Sequence, residues 1–255
     1  MSEVFDAAGL QMLLGDTEYS LSREEDLIRA FLHRRPEAII MTGGAHSEGT
    51  RTLLTSADVP IVETWDLPKE PLGDVVGFSN EEASAAIVRY LYERGRRRIG
   101  FVGGKTSFDT RGAQRRAGFK LAARALRLPS DRIVLAGRTP VSMAQGAEAL
   151  DAMLNRWPDV DAIVCVSDLS AFGVLAECQR RGIDVPGRIA IAGFGDFEVA
   201  RCCHPQMTTI AVDCAGIGRR AAEVALAAVE ARNRGEERKP ETVRMEFHVV
   251  ARETA

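Results

Sequence analysis

The stretch DAIVCVSDLSAFGVL (161–175) contains an apolar run, a short polar junction and a second run in which apolar residues recur periodically. Residues 161–166 are rich in Ile and Val without strict alternation, which is typical of a strand buried on both faces. Ser167 or Asp168 suits the N-cap of a helix predicted over 168–181, because a short polar side chain accepts a hydrogen bond from the first turn. A buried strand that leads directly into a helix predicts a parallel sheet covered by helices.

The same alternation of strand and helix extends in both directions from this segment. Further strands are predicted at 37–41, 59–64, 97–103, 131–136, 188–194 and 207–213, with a closing strand at 242–250. Amphipathic helices are predicted at 20–34, 47–57, 81–94, 110–127, 142–155 and 214–234. This order predicts an α/β fold with parallel sheets covered on both faces, and two similar halves in series are compatible with it.

The composition is that of an ordinary globular protein, with 45% hydrophobic and 27% charged residues in a chain of 255. A net charge of -3 lacks the basic surplus of a DNA-binding module. The 5 cysteines show no Cys-x-x-Cys spacing and the 4 histidines are scattered, so we expect reduced thiols and no metal site. Neither a secretory signal nor a membrane-spanning run is evident, which favours a cytoplasmic location.

The amino-terminal stretch EVFDAAGLQMLLG (3–15) begins in an unusual way. Residues 3–9 are typical of the last turn of a helix, and LQMLLG (10–15) is predicted as a strand. A doubly wound domain ordinarily begins with a strand, so we expect that an earlier element is missing from this sequence.

The segment GFVGGKTSFDTRGAQRRAGF (100–119) looks like a phosphate-binding loop of a nucleotide hydrolase. A Walker loop would need a glycine at position 99, which is Ile99, so the span of backbone amides is wrong. We expect instead that Gly103 and Gly104 allow a tight turn at the carboxyl edge of the sheet, where open α/β sheets bind ligands.

Arg111, Arg115 and Arg116 follow this turn, at the start of a predicted helix. Arg111 and Arg115 share one helix face because they are four residues apart. Cations at a helix N-terminus oppose the helix dipole, which hints at an anionic ligand. The alternative is that these arginines are solvated or pair with Asp109 or a glutamate.

Five segments occur in an order that closely resembles the effector-binding domain of the lactose-repressor (LacI/GalR) family of bacterial transcription regulators. They are ERGRRRIGFVGG (93–104), RRAGFKLA (115–122), VSDLSAFGVL (166–175), RGIDVPGRIAIAGFGDFE (181–198) and PQMTTIAVD (205–213). Three further segments resemble more narrowly the gluconate-utilisation repressors of this family: RRPEAIIMTGG (34–44), IVETWDLP (61–68) and GFGDFE (193–198).

The resemblance implies a periplasmic-binding-protein-like fold of two doubly wound parallel-sheet subdomains. They would comprise residues 1–94 plus 214–239 and residues 95–212 plus 240–255, with crossings near Gly95, Val212 and Pro240. It implies a homodimer, no cofactor, and a sugar-like effector bound between the subdomains. Family members begin with a helix-turn-helix headpiece and a first strand that have no counterpart here, so operator DNA would be read only through a headpiece outside this sequence.

The resemblance also implies a set of effector contacts. The arginine before Ala-Gly-aromatic corresponds to Arg115, whose planar fork suits a carboxylate or paired hydroxyls. The other implied positions in the second subdomain are Asp109, Arg111, Val141, Ser167, Gly195 and Asp196. Val141 stands where the family often has an aromatic, so stacking on a ring is not expected.

In the first subdomain the implied contacts are Thr42, Trp65, Asp66 and Glu82. For Trp65 the alternative is a place in the core or the pocket wall, without a specific contact to the effector.

One departure from the family concerns the effector. Many members have Gly-Tyr-Asp-Asp where this chain has Gly193-Phe194-Gly195-Asp196. Without the first of these carboxylates a pocket that contains Arg115 becomes more positive, which favours an acidic sugar such as gluconate or a phosphorylated relative. The alternative is that Gly195 is a turn glycine and that Asp196 caps the following segment.

These observations favour a ligand sensor that controls transcription. A sugar-binding protein for transport would share the fold, but the sequence shows no export signal. An enzyme is disfavoured because we find no Gly-x-Ser-x-Gly elbow, metal cluster or dinucleotide fingerprint. Asp109, Asp168 and Asp196 are better explained as loop and cap residues than as a catalytic carboxylate set.

Overall fold

The computed structural model describes residues 1–105 and 109–255, so residues 106–108 of the glycine-containing loop lie outside the described residues. The helices are α1 (Ser2–Ala7), α2 (Leu21–Leu32), α3 (Glu48–Ser56), α4 (Asn80–Glu93), α5 (Thr110–Ala125), α6 (Met143–Arg156), α7 (Asp168–Arg180), α8 (Glu198–Cys202) and α9 (Cys214–Asn233). The strands are β1 (Ile39–Thr42), β2 (Ile61–Thr64), β3 (Asp74–Gly77), β4 (Ile99–Gly103), β5 (Ile133–Leu135), β6 (Ala162–Cys165), β7 (Ala190–Gly195), β8 (Thr208–Val212), β9 (Thr242–Arg244) and β10 (Phe247–Val250).

The chain divides into two compact units, each with its own sheet. The first comprises Met1–Ser79 and Asp213–Glu246, and the second comprises Asn80–Val212 and Phe247–Ala255. These bounds differ from the boundaries at residues 94 and 239 inferred from the sequence. The reason is that α4 packs against α5 of the second unit, whereas β9 pairs with β3 of the first.

The first sheet has the order β1-β2-β3-β9, and its pairs are parallel. Val62, Val75 and Val76 at its centre are buried. Sequence patterns did not indicate β3, because only two apolar residues separate Asp74 from Gly77. Pairing with β2 and β9, and the double hydrogen bond of Asp74 with Arg238 (2.7 Å to each oxygen), hold this segment in the sheet.

The strand predicted at LQMLLG (10–15) is wrong, because these residues form neither a strand nor a helix. β1 is the edge strand of the first sheet, and the described chain pairs no strand with its outer side. A strand needs a neighbour for its backbone amides and carbonyls, so an apolar run without one remains irregular. Leu14 is left 91% exposed.

The second sheet has the order β10-β8-β7-β6-β4-β5. Its pairs are parallel except for β10, which is antiparallel to β8. The closing strand predicted over 242–250 is therefore two strands in two sheets. The confirmed unit is β6 followed by α7: the strand is buried throughout, and Ser167 and Ser170 form a reciprocal capping box at the start of the helix.

Two packing contacts hold the helices of the second unit against its sheet and against each other. Phe101 of β4 and Phe119 of α5 lie 5.5 Å apart between ring centroids, and both are buried. α6 and α7 approach so closely that a Cβ on Gly173 would lie 1.9 Å from the carbonyl oxygen of Met143. Among the described residues, none of the helices has the length and apolar character that a membrane span requires.

Candidate functional site

Arg115 lies at the carboxyl edge of the second sheet and contacts three different elements. Its Nε donates to Asn80 Oδ1 at the start of α4 (2.9 Å), and its Nη1 donates to the carbonyl of Val166 just after β6 (2.8 Å). Its guanidinium carbon lies 3.6 Å from the centroid of the Phe194 ring on β7. These contacts fix a half-buried positive charge where parallel strands end, which is the edge at which such sheets bind ligands.

Asn80 and Phe194 were not identified from the sequence. Both are buried, and both orient Arg115. Asn80 immediately precedes the predicted helix 81–94, so its polar side chain was the available local signal. Phe194 stands where many family members have tyrosine in the quoted motif, but its contact with Arg115 depends on the position of α5 and was not predicted.

The turn after β7 contains the departure from the family pattern. Gly195 has φ +128° and Asp196 has φ +53°. A Cβ on Gly195 would be strained in this conformation and would lie 3.0 Å from the Phe197 ring. Glycine at 195 therefore has a conformational reason in addition to the absence of a carboxylate.

The interpretation of Asp196 as a helix cap is wrong. α8 has Phe197 as its N-cap residue and no side-chain cap hydrogen bond. Asp196 Oδ1 instead accepts a hydrogen bond from Arg252 Nη2 at 2.6 Å. The carboxylate thus ties the turn to the carboxyl-terminal segment, because Arg252 lies just beyond β10.

Asp109 and Ser167 both serve as helix caps. Asp109 Oδ1 accepts from the amide of Gly112 (2.9 Å) and its Oδ2 accepts from Thr139 Oγ1 (3.2 Å). Ser167 Oγ accepts from the amide of Ser170 (3.3 Å). These bonds place both side chains at the carboxyl edge of the sheet and give them a structural role there.

Val141 and the three arginines occupy different surroundings. Val141 is buried beside the glycine turn, since a Cβ on Gly104 would lie 3.4 Å from Val141 Cγ2. Arg111 is half-buried in the first turn of α5. Arg116 points elsewhere, because it lines a cleft of about 500 Å³ with Lys120 and Arg124. Arg115 contacts Val166 just after β6 and Phe194 on β7.

The first unit brings Thr42, Trp65 and Asp66 to the carboxyl edge of its own sheet. Thr42 is exposed at the end of β1, and its register partner Thr64 directly precedes Trp65. Trp65 has φ +68° and its ring packs edge-on against Phe78 at 6.4 Å, which supports a place in the wall. Asp66 is buried and accepts from the amide of Leu67 at 2.7 Å.

Glu82 does not belong with these residues, and its assignment to the first subdomain is wrong. It lies exposed in the first turn of α4, which is part of the second unit. The error has the same cause as the boundary at residue 94, since α4 packs on α5.

A buried cluster of charged side chains in the first unit was not predicted from the sequence. His46 Nδ1 donates to Glu24 Oε1 (2.9 Å) and its Nε2 donates to Glu63 Oε1 (3.2 Å), with the imidazole 0% exposed. Burial lowers the pKa of His46, but the hydrogen bonds to the two glutamates outweigh it and raise the pKa to about 9. The imidazole is therefore charged at neutral pH and links α2, the loop after β1, and β2.

Known proteins resemble the chain over nearly its whole length. The family of periplasmic binding protein-like domains matches residues 88–255. The HTH-type transcriptional regulator GntR of Pseudomonas aeruginosa is 34% identical over 246 residues, which cover 96% of this chain and 70% of the relative.

Two solved structures are also similar. A LacI family transcriptional regulator from Silicibacter pomeroyi is 40% identical with a TM-score of 0.92, covering 99% of this chain and 90% of that one. The transcription regulator GntR from Chromobacterium violaceum is 38% identical with a TM-score of 0.89, covering 99% and 91%.

The chain has two α/β units, and polar residues lie at the carboxyl edge of each sheet. Together with the family match, this fold defines a periplasmic-binding-protein-like domain. The chain belongs to the LacI family of transcriptional regulators. Its similar proteins are regulators, so the chain is assigned to the control of transcription and not to catalysis.

Proposed function

We propose that this regulator senses an acidic sugar, an aldonate such as gluconate or a phosphorylated relative, through Arg115. The observation that carries the proposal is the fixed placement of the Arg115 guanidinium, which the Phe194 ring and the carbonyl of Val166 hold at the carboxyl edge of the second sheet. A preorganised planar fork binds a carboxylate with little loss of side-chain entropy.

The charge around Arg115 also supports an anionic effector. Position 195 carries no carboxylate, and the nearby carboxylate of Asp196 is neutralised by Arg252 at 2.6 Å. An anion that approaches Arg115 therefore meets less repulsion than it would in family members with an aspartate at position 195.

The choice of gluconate rests on the resemblance of residues 34–44, 61–68 and 193–198 to gluconate-utilisation repressors. The relatives named GntR are consistent with this choice.

We further propose that effector binding shifts the population of conformations and thereby controls binding of operator DNA by a homodimer in the cytoplasm. A headpiece outside residues 1–255 would make the contacts with DNA.

The test is a calorimetric titration with gluconate, 6-phosphogluconate, gluconolactone and glucose. Gluconolactone is the uncharged cyclic ester of gluconate, and it is titrated from fresh solution because it hydrolyses to gluconate in water. We expect saturable binding of gluconate or its phosphate and much weaker binding of the two neutral sugars. Preference for glucose or gluconolactone would contradict the acidic effector.

The matched variants are Arg115→Lys, Arg115→Ala and, as a control, Arg116→Ala, whose side chain faces a different cleft. Arg115→Ala should weaken aldonate affinity at least about tenfold, because an Arg–carboxylate hydrogen bond contributes about 1.5 to 3 kcal/mol. Arg115→Lys retains the charge and should give an intermediate loss. Thermal unfolding of each variant shows whether it is folded, and unchanged affinity in a folded Arg115→Ala would sink the assignment.

A further inference from the structure

A basic cleft lies at the amino edge of the second sheet, opposite to the edge at which Arg115 lies. Arg98 directly precedes β4, Asp161 directly precedes β6, and Arg188 lies two residues before β7. Since these neighbouring strands are parallel, the three residues meet at the amino edge, away from Arg115. Together with Arg94, Arg96 and Asp159 they line an open cleft of about 560 Å³, here called the basal cleft.

Three of the four arginines in the basal cleft contact only neutral groups within residues 1–105 and 109–255. Arg96 donates to the carbonyls of Pro186 (2.5 Å) and Gly187 (3.3 Å). Arg188 donates to the carbonyls of Val160 and Pro158. Arg94 lies 3.6 Å above the Tyr90 ring. These contacts fix the guanidinium groups without neutralising them.

The two carboxylates of the cleft already have donors of their own. Asp161 accepts from the backbone amides of Arg97 (3.0 Å) and Arg98 (2.9 Å), and from Arg98 Nε at 3.4 Å. Asp159 forms two parallel hydrogen bonds with Arg132, at 2.9 and 3.0 Å. Those bonds, with a smaller contribution from Arg98, lower the pKa of Asp159. Four arginines and two aspartates thus line the cleft, which leaves a net positive charge in a concave surface.

We propose that the basal cleft is a second ligand site, which binds the phosphate group of a small phosphorylated molecule. Guanidinium forks match phosphate oxygens, and the arginines held on carbonyls and on a ring are already oriented. The volume is that of a site for a small molecule. A net charge of -3 for the chain disfavours the alternative of an extended nucleic acid on this surface.

This site is independent of the proposed effector. It uses no residue of the Arg115 edge, and its occupation would give the regulator a second input from phosphate-bearing metabolites.

The test titrates the protein with inorganic phosphate at constant ionic strength, followed by NMR shifts of arginine side chains and by calorimetry. The double variant Arg94→Gln/Arg98→Gln removes two exposed guanidinium groups. Its control is Arg89→Gln, an exposed arginine on α4 that lies outside the cleft. We expect saturable binding to the original chain and to the control, and at least about tenfold weaker binding to the double variant.

Several results would overturn the proposal. Phosphate affinity could be equal in the double variant, or chloride at matched ionic strength could abolish binding, which would indicate a non-specific charge effect. Loss of phosphate binding in Arg115→Lys, with the double variant unaffected, would assign the phosphate to the other edge. If the original chain does not bind phosphate but sediments differently from the double variant, the cleft is a surface between copies of the chain.

Near-UV circular dichroism confirms that the double variant is folded, and its gluconate affinity should be unchanged. Failure of the proposed effector function therefore gives a different pattern: gluconate binding is absent from every variant, whatever the phosphate result.

Discussion

Asp168 Oδ2 accepts a hydrogen bond of 2.7 Å from the backbone amide of Phe197, so the first residue of α7 holds the turn that follows β7. The other oxygen accepts from Thr209 Oγ1 on β8 at 2.5 Å. Asp168 is buried, which raises its pKa and makes the loss of either hydrogen bond costly, because a buried polar group would be left without that partner. One buried carboxylate thereby positions the turn that contains Gly195 and Asp196.

The first prediction concerns Asp168→Ala. The change removes the acceptor of the Phe197 amide and leaves Thr209 Oγ1 with a longer contact to the Ile210 carbonyl (3.4 Å), so we expect a loss of about 2 to 4 kcal/mol in the free energy of unfolding. Urea denaturation measures it. Asp213→Ala is the matched control, because Asp213 is an exposed cap of α9 and its removal should cost only about 1 kcal/mol. Equal losses in the two variants would show that the buried hydrogen bonds of Asp168 contribute no more to stability than an exposed helix cap does.

The second prediction separates conformation from charge at position 195. Gly195→Ala and Gly195→Asp both place a Cβ on a backbone with φ +128°, so both should lose about 1 to 2 kcal/mol of stability. Only the aspartate adds a negative charge near Arg115, so it alone should weaken aldonate affinity. Unfolding curves and calorimetry measure the two effects. If the alanine variant loses as much affinity as the aspartate variant, the shape of the turn and not its charge determines binding.

The third prediction is a pH dependence from His46. Its pKa of about 9 in the folded protein lies above its ordinary value of 6.5. The folded state binds the proton more tightly, so the stabilisation is complete below pH 6.5 and is lost as the pH rises through about 9. The groups that face the imidazole are Glu24 and Glu63, and both favour the charged form.

The size of this effect is on the order of 3 kcal/mol, from the shift in pKa between the unfolded and folded states. His46→Gln cannot titrate, so its free energy of unfolding should fall less between pH 6.5 and 9.5 than that of the original chain. Chemical denaturation across this range measures the difference. Parallel curves for the two proteins would rule out His46 as the titrating group.

The fourth prediction concerns the exposed apolar run before α2. Met12, Leu13 and Leu14 are 49%, 56% and 91% exposed. They belong to the same unit as the open edge of β1, and both features favour self-association. The double change Leu13→Lys/Leu14→Lys should reduce association in sedimentation velocity and change stability by less than about 0.5 kcal/mol. Association that persists unchanged would place the contact on a different surface.

Local chemistry explains which parts of the fold were predictable. The β6–α7 unit was predictable because a continuous apolar run forms the strand and the adjacent Ser-Asp junction begins the helix, all within a few residues. β3 was not, since its strand form comes from pairing with β2 and β9. The strand prediction for LQMLLG (10–15) was wrong for the converse reason. The segment has the composition of a strand, but the described chain provides no strand to pair with it.

The candidate site divides in the same way. Arg115 could be named from its motif, whereas its partner Asn80 comes from a helix 35 positions earlier. The partners of His46 are 22 and 17 positions away, so no spacing rule reveals them. Contacts that tertiary packing creates between distant segments were the ones missed.

The division of residues 242–250 between two sheets has a consequence for biosynthesis. β9 completes the first sheet beside β3, and β10 completes the second beside β8. A ribosome delivers β9 and β10 after all the other strands described above, so the inner strands emerge long before their outer neighbours. Neither sheet can therefore be completed until residues 242–250 have left the ribosome, and the two sheets are expected to be completed at nearly the same time.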